Sequence, residues 1–88
     1  MDLNDCRERI DKIDDELLSL FLERMDVCRQ VGIYKKEHGL PVPNAEREKE
    51  VLSGVTSKAG EELRPFALRL YETLLEISRE YQEGIIQE

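Results

Sequence analysis

Two basic residues lie on the apolar face of the long helix that the N-terminal part of the sequence predicts. At about 100° per residue, with Arg7 at zero, the apolar side chains of this segment cluster between about 220° and 320°. On the same wheel Arg24 falls at about 260° and Lys35 at about 280°, while Arg7 lies at the edge of the face. A cation on a buried face is costly unless an anion meets it. Because arginine grips carboxylates through two parallel hydrogen bonds, this placement indicates a carboxylate ligand.

The next helical segment repeats the pattern with an acid. With Arg47 at zero, Glu48 lies at about 100°, between Val51 at about 40° and Leu52 at about 140°. Glu48 is therefore in the middle of an apolar face and Arg47 is on its flank. A surface ion pair between these two neighbours would explain the same residues.

The last segment places neutral polar groups inward. With Phe66 at zero, Ser78 falls at about 120° and Gln82 at about 160°, among apolar positions. They are an i,i+4 pair, so their side chains are neighbours on a helix and could hydrogen-bond each other.

Each position has an ordinary structural explanation, since Arg24 could pair with a carboxylate across an interface and long cations can extend out of a core. The joint pattern favours a ligand. Arg7, Arg24, Lys35 and Arg47 are cations at or beside apolar faces, in a chain with 20 acidic and 13 basic residues and a net charge of −7. Few inward acids are available to neutralise them. We therefore expect an anionic ligand with more than one carboxylate.

The elements that must position these residues are three helices in one domain, 1–88. Two prolines and a glycine within 39–44 break the first helical pattern, and Gly60 and Pro65 bracket a second break. Helices are predicted over about 3–37, 45–58 and 65–84, with Asn44 as an N-cap and Pro65 in a first turn. Strand signals are absent, so the fold class is all-α.

The length of the first helix predicts a second copy of the chain. A helix of about 35 residues is roughly 50 Å long, which exceeds the diameter of a globule made from one such chain. The two shorter helices cannot cover its whole apolar face. We expect an intertwined homodimer in which the long helices pack together as part of a six-helix bundle. A simple coiled coil fits less well, because the heptad spacing is not clean.

Composition excludes several classes. No apolar run is long enough to span a membrane, and the sequence pI of about 4.8 argues against a nucleic-acid partner. The charged N-terminus lacks the apolar stretch of a secretory signal, so we expect a cytoplasmic location. Cys6 and Cys28 would lie about 33 Å apart on one helix, too far for a disulfide. No Cys/His cluster suggests a metal, and His38 is expected to be solvated.

These residues resemble the small all-helical chorismate mutases, which form intertwined three-helix dimers. The resemblance covers nearly the whole chain. It rests on Arg7-x-x-Ile10-x-x-Ile13-Asp14-x-x-Leu17-Leu18, Glu23-Arg24, Val31-Gly32-x-x-Lys35, Pro41-Val42 followed by Glu46-Arg47-Glu48, and Ser78-x-x-x-Gln82. The family implies a cofactor-free Claisen rearrangement of chorismate to prephenate, in phenylalanine and tyrosine biosynthesis.

The resemblance also implies roles for the charged residues. Arg24 would bind one substrate carboxylate, and Arg7 of the other subunit would bind the second. Lys35 and Gln82 would hydrogen-bond the ether oxygen, where negative charge grows as the C–O bond stretches. A preorganised donor stabilises that charge selectively in the transition state.

Four further positions complete the expected binding set. Glu48 would accept a hydrogen bond from the ring hydroxyl, Ser78 would contact a carboxylate, and Arg47 would orient the neighbouring acids. Asn44 stands where some members have an aspartate near that hydroxyl, and its capping role could be its whole contribution.

Two other functions remain open from the sequence. An isochorismate–pyruvate lyase on the same scaffold resembles the chain around Arg24-Met25 and Pro41–Arg47, although Glu48 favours the mutase because the lyases have an apolar residue there. A non-catalytic helical dimerisation module is the other alternative, and the inward cations argue against it.

Overall fold

The computed structural model describes residues 2–88 and contains three α-helices: α1 (Leu3–His38), α2 (Ala45–Lys58) and α3 (Arg64–Ile86). No strand occurs in this range, and the predicted all-α fold class is confirmed. The bounds of α2 equal those expected, and α1 runs one residue further. α3 begins one residue before Pro65 and ends two residues after Gly84, because the buried Ile85 packs against α1 at Gly32 and keeps the last turn helical.

Local interactions fix where α1 and α2 begin and end. Asp2 and Asp5 form a reciprocal capping box at the start of α1. Gly39 ends α1 in the left-handed conformation, at φ +64°, which glycine adopts without strain. Asn44 caps α2 by accepting a hydrogen bond from the Arg47 backbone N–H at 3.1 Å. The hinge between α1 and α2 is thereby set by these two capping residues.

The helices enclose a groove. α3 packs against both α1 and α2, whereas α1 and α2 make no close backbone contact with each other within residues 2–88. The groove therefore lies between α1 and α2, with α3 as its floor.

One chain buries little apolar surface. Its buried apolar side chains are Val42, Leu75 and Ile85. The molecule measures 54 × 27 × 14 Å and exposes 7119 Å², against roughly 5,400 Å² for a compact monomer of this mass. Much of the excess lies on the first half of α1, where Ile10, Ile13 and Leu17 are each more than half exposed. The dimer predicted from the length of this helix remains a prediction, and this face is the surface that it would cover.

None of the helices in the described range is both long enough and apolar enough to cross a lipid bilayer.

Candidate active site

A cavity of about 570 Å³ occupies the groove between α1 and α2, a volume typical of small-molecule sites. Seven of the eight residues predicted from the sequence line it. They are Arg24 and Lys35 from α1, Asn44 from the hinge, Arg47 and Glu48 from α2, and Ser78 and Gln82 from α3.

Arg24 and Ser78 connect the wall of the cavity to its floor. Arg24 Nη1 donates to Ser78 Oγ at 2.5 Å, and Ser78 Oγ donates to the Leu74 carbonyl oxygen at 2.7 Å. Ser78 is buried and does not bond Gln82, so the pairing considered from sequence does not occur. The same Nη1 also donates to Cys28 Sγ. The guanidinium thus uses two of its five donors within the chain, which leaves three for a ligand.

Lys35 is anchored by the hinge. Its Nζ donates to the carbonyl oxygen of the buried Val42 at 2.7 Å. An ammonium group has three protons, so two are left to point elsewhere. The contact holds the charge at the end of the cavity that the hinge closes.

Gln82 has an unsatisfied polar atom. The side chain is 8% exposed, and its Oε1 atom is buried without a hydrogen-bond partner. Gly32 allows the close approach of α1 at this level, since a Cβ there would lie 3.4 Å from Gln82 Cγ and 3.3 Å from Ile85 Cδ1. This atom is a hydrogen-bond acceptor, so only a donor could satisfy it, and a buried acceptor without a donor is costly in a folded chain. The NH₂ group of the same amide has no partner within residues 2–88 and is left to donate to a ligand in the cavity.

Glu48 is paired with Arg79, a residue that the sequence analysis missed. Arg79 Nη1 donates to Glu48 Oε1, and the two side chains are 38% and 27% exposed respectively. On the wheel of α3, Arg79 falls at about 220°, outside the face that ends near 180°. Its long side chain extends from there into the cavity wall. A helical wheel does not reveal this, because it shows the position of a residue and not the reach of its side chain.

Arg47 lies at the rim of the cavity. Its Nη1 donates to Glu50 Oε2 at 3.0 Å, and both side chains are about two-thirds exposed, at 67% and 69%. The ion pair between Arg47 and Glu48 considered from sequence is therefore wrong: each of the two has a different partner. Asn44, beside them, uses its amide oxygen for the capping bond to the Arg47 backbone.

Arg7 does not line this cavity. It is exposed on α1, 17 residues before Arg24 and thus about 26 Å away along the helix axis. Within one chain the two arginines cannot bind the same small molecule.

Cys28 is a further wall residue, for which the sequence pattern predicted no role in the site. Its Sγ lies 3.7 Å from Arg24 Nη1 and 3.5 Å from Ser78 Oγ. Both cysteines are free thiols. His38 is exposed and stacks on Tyr34, away from the cavity.

The cavity is basic although the chain is acidic. Four basic residues line it, Arg24, Lys35, Arg47 and Arg79, against the two acids Glu23 and Glu48. Across residues 2–88, no group of three or more His, Cys, Asp or Glu side chains is arranged to hold a metal ion. The arrangement suits a small dianion, which the four cations would attract. The neutral side chains of Asn44, Ser78 and Gln82 would orient it.

Comparison with known proteins gives a family match. The family model for chorismate mutase type II matches residues 6–83. The chain is similar to the chorismate mutase of Methanocaldococcus jannaschii, with 26% identity over 88 residues, 98% of this chain and 89% of the relative.

Two further relatives differ in length. The T-protein of Haemophilus influenzae is 48% identical over 46 residues, 52% of this chain and 12% of that protein. The 4-amino-4-deoxychorismate mutase of Streptomyces pristinaespiralis is 32% identical over 75 residues, 83% of this chain and 58% of that protein. The chain thus spans less than two thirds of either relative. No solved structure gives a significant match.

Proposed function

This chain belongs to the chorismate mutase type II family, and we propose that it converts chorismate to prephenate. The reaction is an intramolecular Claisen rearrangement, in which the C–O bond of the enolpyruvyl ether breaks as a C–C bond forms. Atoms, protons and electrons are all conserved within the substrate. The enzyme therefore needs to hold the reacting ends together and to stabilise the charge that develops on the ether oxygen.

The observation that carries the proposal is the convergence of Arg24, Lys35 and Gln82 on one cavity. These side chains come from two helices, and each has hydrogen-bonding capacity left after its contacts within the chain. Two cations and a buried amide match a dianion with an ether oxygen between its carboxylates.

Arg24 binds one carboxylate of the substrate in this proposal. Ser78 holds the guanidinium from the floor of the cavity, so the planar fork is oriented before the ligand arrives. Such preorganisation reduces the entropy lost on binding. The Ser78 hydroxyl lies beside the same carboxylate.

Lys35 and Gln82 donate to the ether oxygen. The hinge carbonyl of Val42 fixes the Lys35 ammonium, and burial fixes the Gln82 carboxamide. The Gln82 amide turns its NH₂ end to the ligand. Both donors face an oxygen whose negative charge is larger in the transition state than in the substrate, so they lower the barrier rather than merely tightening binding.

Glu48 accepts a hydrogen bond from the ring hydroxyl, and its carboxylate is held by Arg79. Asn44 lies near the same end of the cavity. Its amide oxygen makes the capping hydrogen bond, so its NH₂ group remains able to donate to a ligand. Arg47 holds Glu50 at the rim and adds positive charge at the entrance.

A second copy of the chain completes the site. The uncovered face of α1 carries Ile10, Ile13 and Leu17, and two such faces packed together would bury them. The exposed surface of each chain exceeds that of a compact monomer by about 1,700 Å². Two chains together thus have about 3,400 Å² in excess, which is within the range of obligate homodimer interfaces. Arg7 of the partner then supplies the contact to the second carboxylate that Arg24 cannot reach.

The alternative functions have weaker support. An isochorismate–pyruvate lyase would not need the acid Glu48, and a non-catalytic dimerisation module would not need Arg24 and Lys35 to line one cavity. The chorismate and 4-amino-4-deoxychorismate mutases among the relatives also agree better with a mutase.

The test is incubation of the purified chain with chorismate, with loss of its ultraviolet absorbance followed and the product identified. We expect prephenate, and a fall in kcat/KM of about 100-fold or more for Arg24→Ala. Arg29→Ala, an exposed arginine on the same helix that does not line the cavity, is the matched control. A parallel incubation uses isochorismate as the substrate. Its conversion to salicylate and pyruvate, with no prephenate formed from chorismate, would instead assign the lyase function.

A further inference from the structure

The ion pair between Glu48 and Arg79 places a positive charge in contact with the acid that, in the proposed function, receives the ring hydroxyl. The pair joins α2 to α3 within the cavity wall, and both residues line the cavity. It is one of two salt bridges within residues 2–88, and the other, Arg47–Glu50, lies on the rim. Glu48 is thus the acid of the cavity whose charge is already neutralised within the chain.

We infer that Arg79 determines which group the site accepts on the substrate ring, selecting a neutral hydroxyl over a protonated amine. The inference rests on the proposed function, in which Glu48 receives the ring hydroxyl. A carboxylate paired with a guanidinium keeps lone pairs for a neutral O–H donor. It has no net charge left to balance a cation.

A ring amine would be received less favourably than a hydroxyl, because of the positive charges that line the cavity. An aliphatic amine is largely protonated near neutral pH. Its ammonium would enter a cavity wall that already carries the guanidinium of Arg79, with Arg24 and Lys35 on the other sides. The ammonium and these cations would repel each other within one small cavity, and partial burial limits the screening of that repulsion by water. A free Glu48 carboxylate would instead form a strong ion pair with the ammonium.

The same geometry makes Arg79 a positioning residue for the hydroxyl substrate. Glu48 Oε1 is engaged by Arg79, so the carboxylate is held in one rotamer and presents its remaining lone pairs in a fixed direction. Without Arg79 the acid would be free to rotate, and the hydroxyl would lose a preorganised acceptor.

The experiment compares two substrates, chorismate and its analogue with an amine in place of the ring hydroxyl. We would measure kcat/KM for both with the unaltered chain, Arg79→Met and Arg79→Lys. Methionine keeps much of the length of the side chain without its charge. Arg69→Met, an exposed arginine on α3 outside the cavity, is the matched control.

The expected result is that Arg79→Met changes the ratio of kcat/KM for chorismate to that for the amine by about tenfold or more in favour of the amine. Arg79→Lys should keep most of the original selectivity, because it keeps the charge, and Arg69→Met should leave the ratio unchanged. A ratio that stays within twofold in Arg79→Met, with normal helical content by circular dichroism, would overturn the inference.

A second readout needs no variant. With the unaltered chain, kcat/KM for the amine should rise toward alkaline pH relative to that for chorismate, because the amine loses its positive charge there. Parallel pH profiles for the two substrates would contradict the inference even if Arg79→Met failed to fold. Absence of chorismate turnover by the unaltered chain is a separate result, since it would reject the proposed function itself.

Discussion

Arg24 on α1 donates a hydrogen bond to Ser78 on α3, although 54 positions separate the two residues in the sequence. Each of the two is a polar residue on the apolar face of its own helix. Together they form a supported guanidinium at the junction of the wall and the floor of the cavity, and Cys28 lies against both. Two residues that disrupt the apolar patterns of separate helices therefore meet in the cavity.

Replacing Lys35 by alanine should affect the chemical step more than binding. We expect kcat to fall by about 100- to 1,000-fold, because in the proposed site the ammonium faces the charge that develops on the ether oxygen in the transition state. Steady-state kinetics would separate this from a rise in KM alone. Lys36→Ala, one residue further along and directed to the C-terminal Glu88 carbonyl, is the control. A pure KM effect for Lys35→Ala would contradict the assigned role.

Replacing Gln82 by glutamate should make the activity depend on pH. The carboxamide donates at any pH, so the unaltered chain should keep its activity toward alkaline pH. The introduced carboxyl donates only when protonated, and an unperturbed glutamate has a pKa of about 4.3. Above its pKa the carboxylate repels the developing negative charge, so activity should be lost as pH rises and regained as pH falls. Profiles of kcat/KM against pH for the two proteins would test this, and a flat profile for Gln82→Glu would argue that Gln82 does not donate to the ether oxygen.

A side chain added at Gly32 should push α1 away from α3, which should disturb the cavity and also destabilise the fold. A Cβ at this position lies 3.3 Å from Ile85 Cδ1, and a leucine side chain would extend further into α3. Overpacking of this kind costs about 1–3 kcal/mol, so Gly32→Leu should lower the melting temperature and the activity. Gly84→Leu, where nothing lies within 4 Å of the added Cβ, is the control for the change of residue type. Equal melting temperatures for the two variants would show that α1 and α3 can separate without cost.

Mixing two inactive variants should restore activity if each site draws on both chains. In the proposed dimer, Arg7→Ala and Arg24→Ala homodimers would each lack one carboxylate contact at both sites. After random exchange of subunits, half of the dimers are mixed, and each mixed dimer has one intact site. Activity should therefore recover to about a quarter of that of the unaltered chain. Activity should not recover if the subunits do not exchange. If it does not recover although exchange is verified, Arg7 and Arg24 do not act in the same shared site.

Much of the fold could be predicted because its signals are local. Gly39 and the prolines of the hinge end α1, and Asn44 begins α2, through conformational preferences that depend on few neighbours. The end of α3 was predicted two residues early. Gly84 is a weak helix former, and the contact that outweighs it, Ile85 against Gly32, joins two distant parts of the chain.

The candidate site could be predicted wherever a residue stands on the wrong face of its helix. Lys35 and Gln82 both met this criterion, and both line the cavity. Arg79 did not meet it, since its Cα lies off the face and only the length of the side chain brings the guanidinium to Glu48. The ion pair of Arg47 with Glu48 was wrong for a related reason. The position of a residue on a helix predicts the direction in which its side chain leaves the backbone, but a long flexible side chain can reach several neighbouring acids.

The three buried apolar side chains within residues 2–88 form a small core, which has a consequence for how this protein behaves on dilution. In the proposed dimer, most of the apolar surface of α1 is buried only by association, so folding and association are one equilibrium. The melting temperature then rises with protein concentration, and specific activity declines when the protein is diluted below its dissociation constant. The amount of enzyme present would itself set the fraction of chains that are folded and able to act.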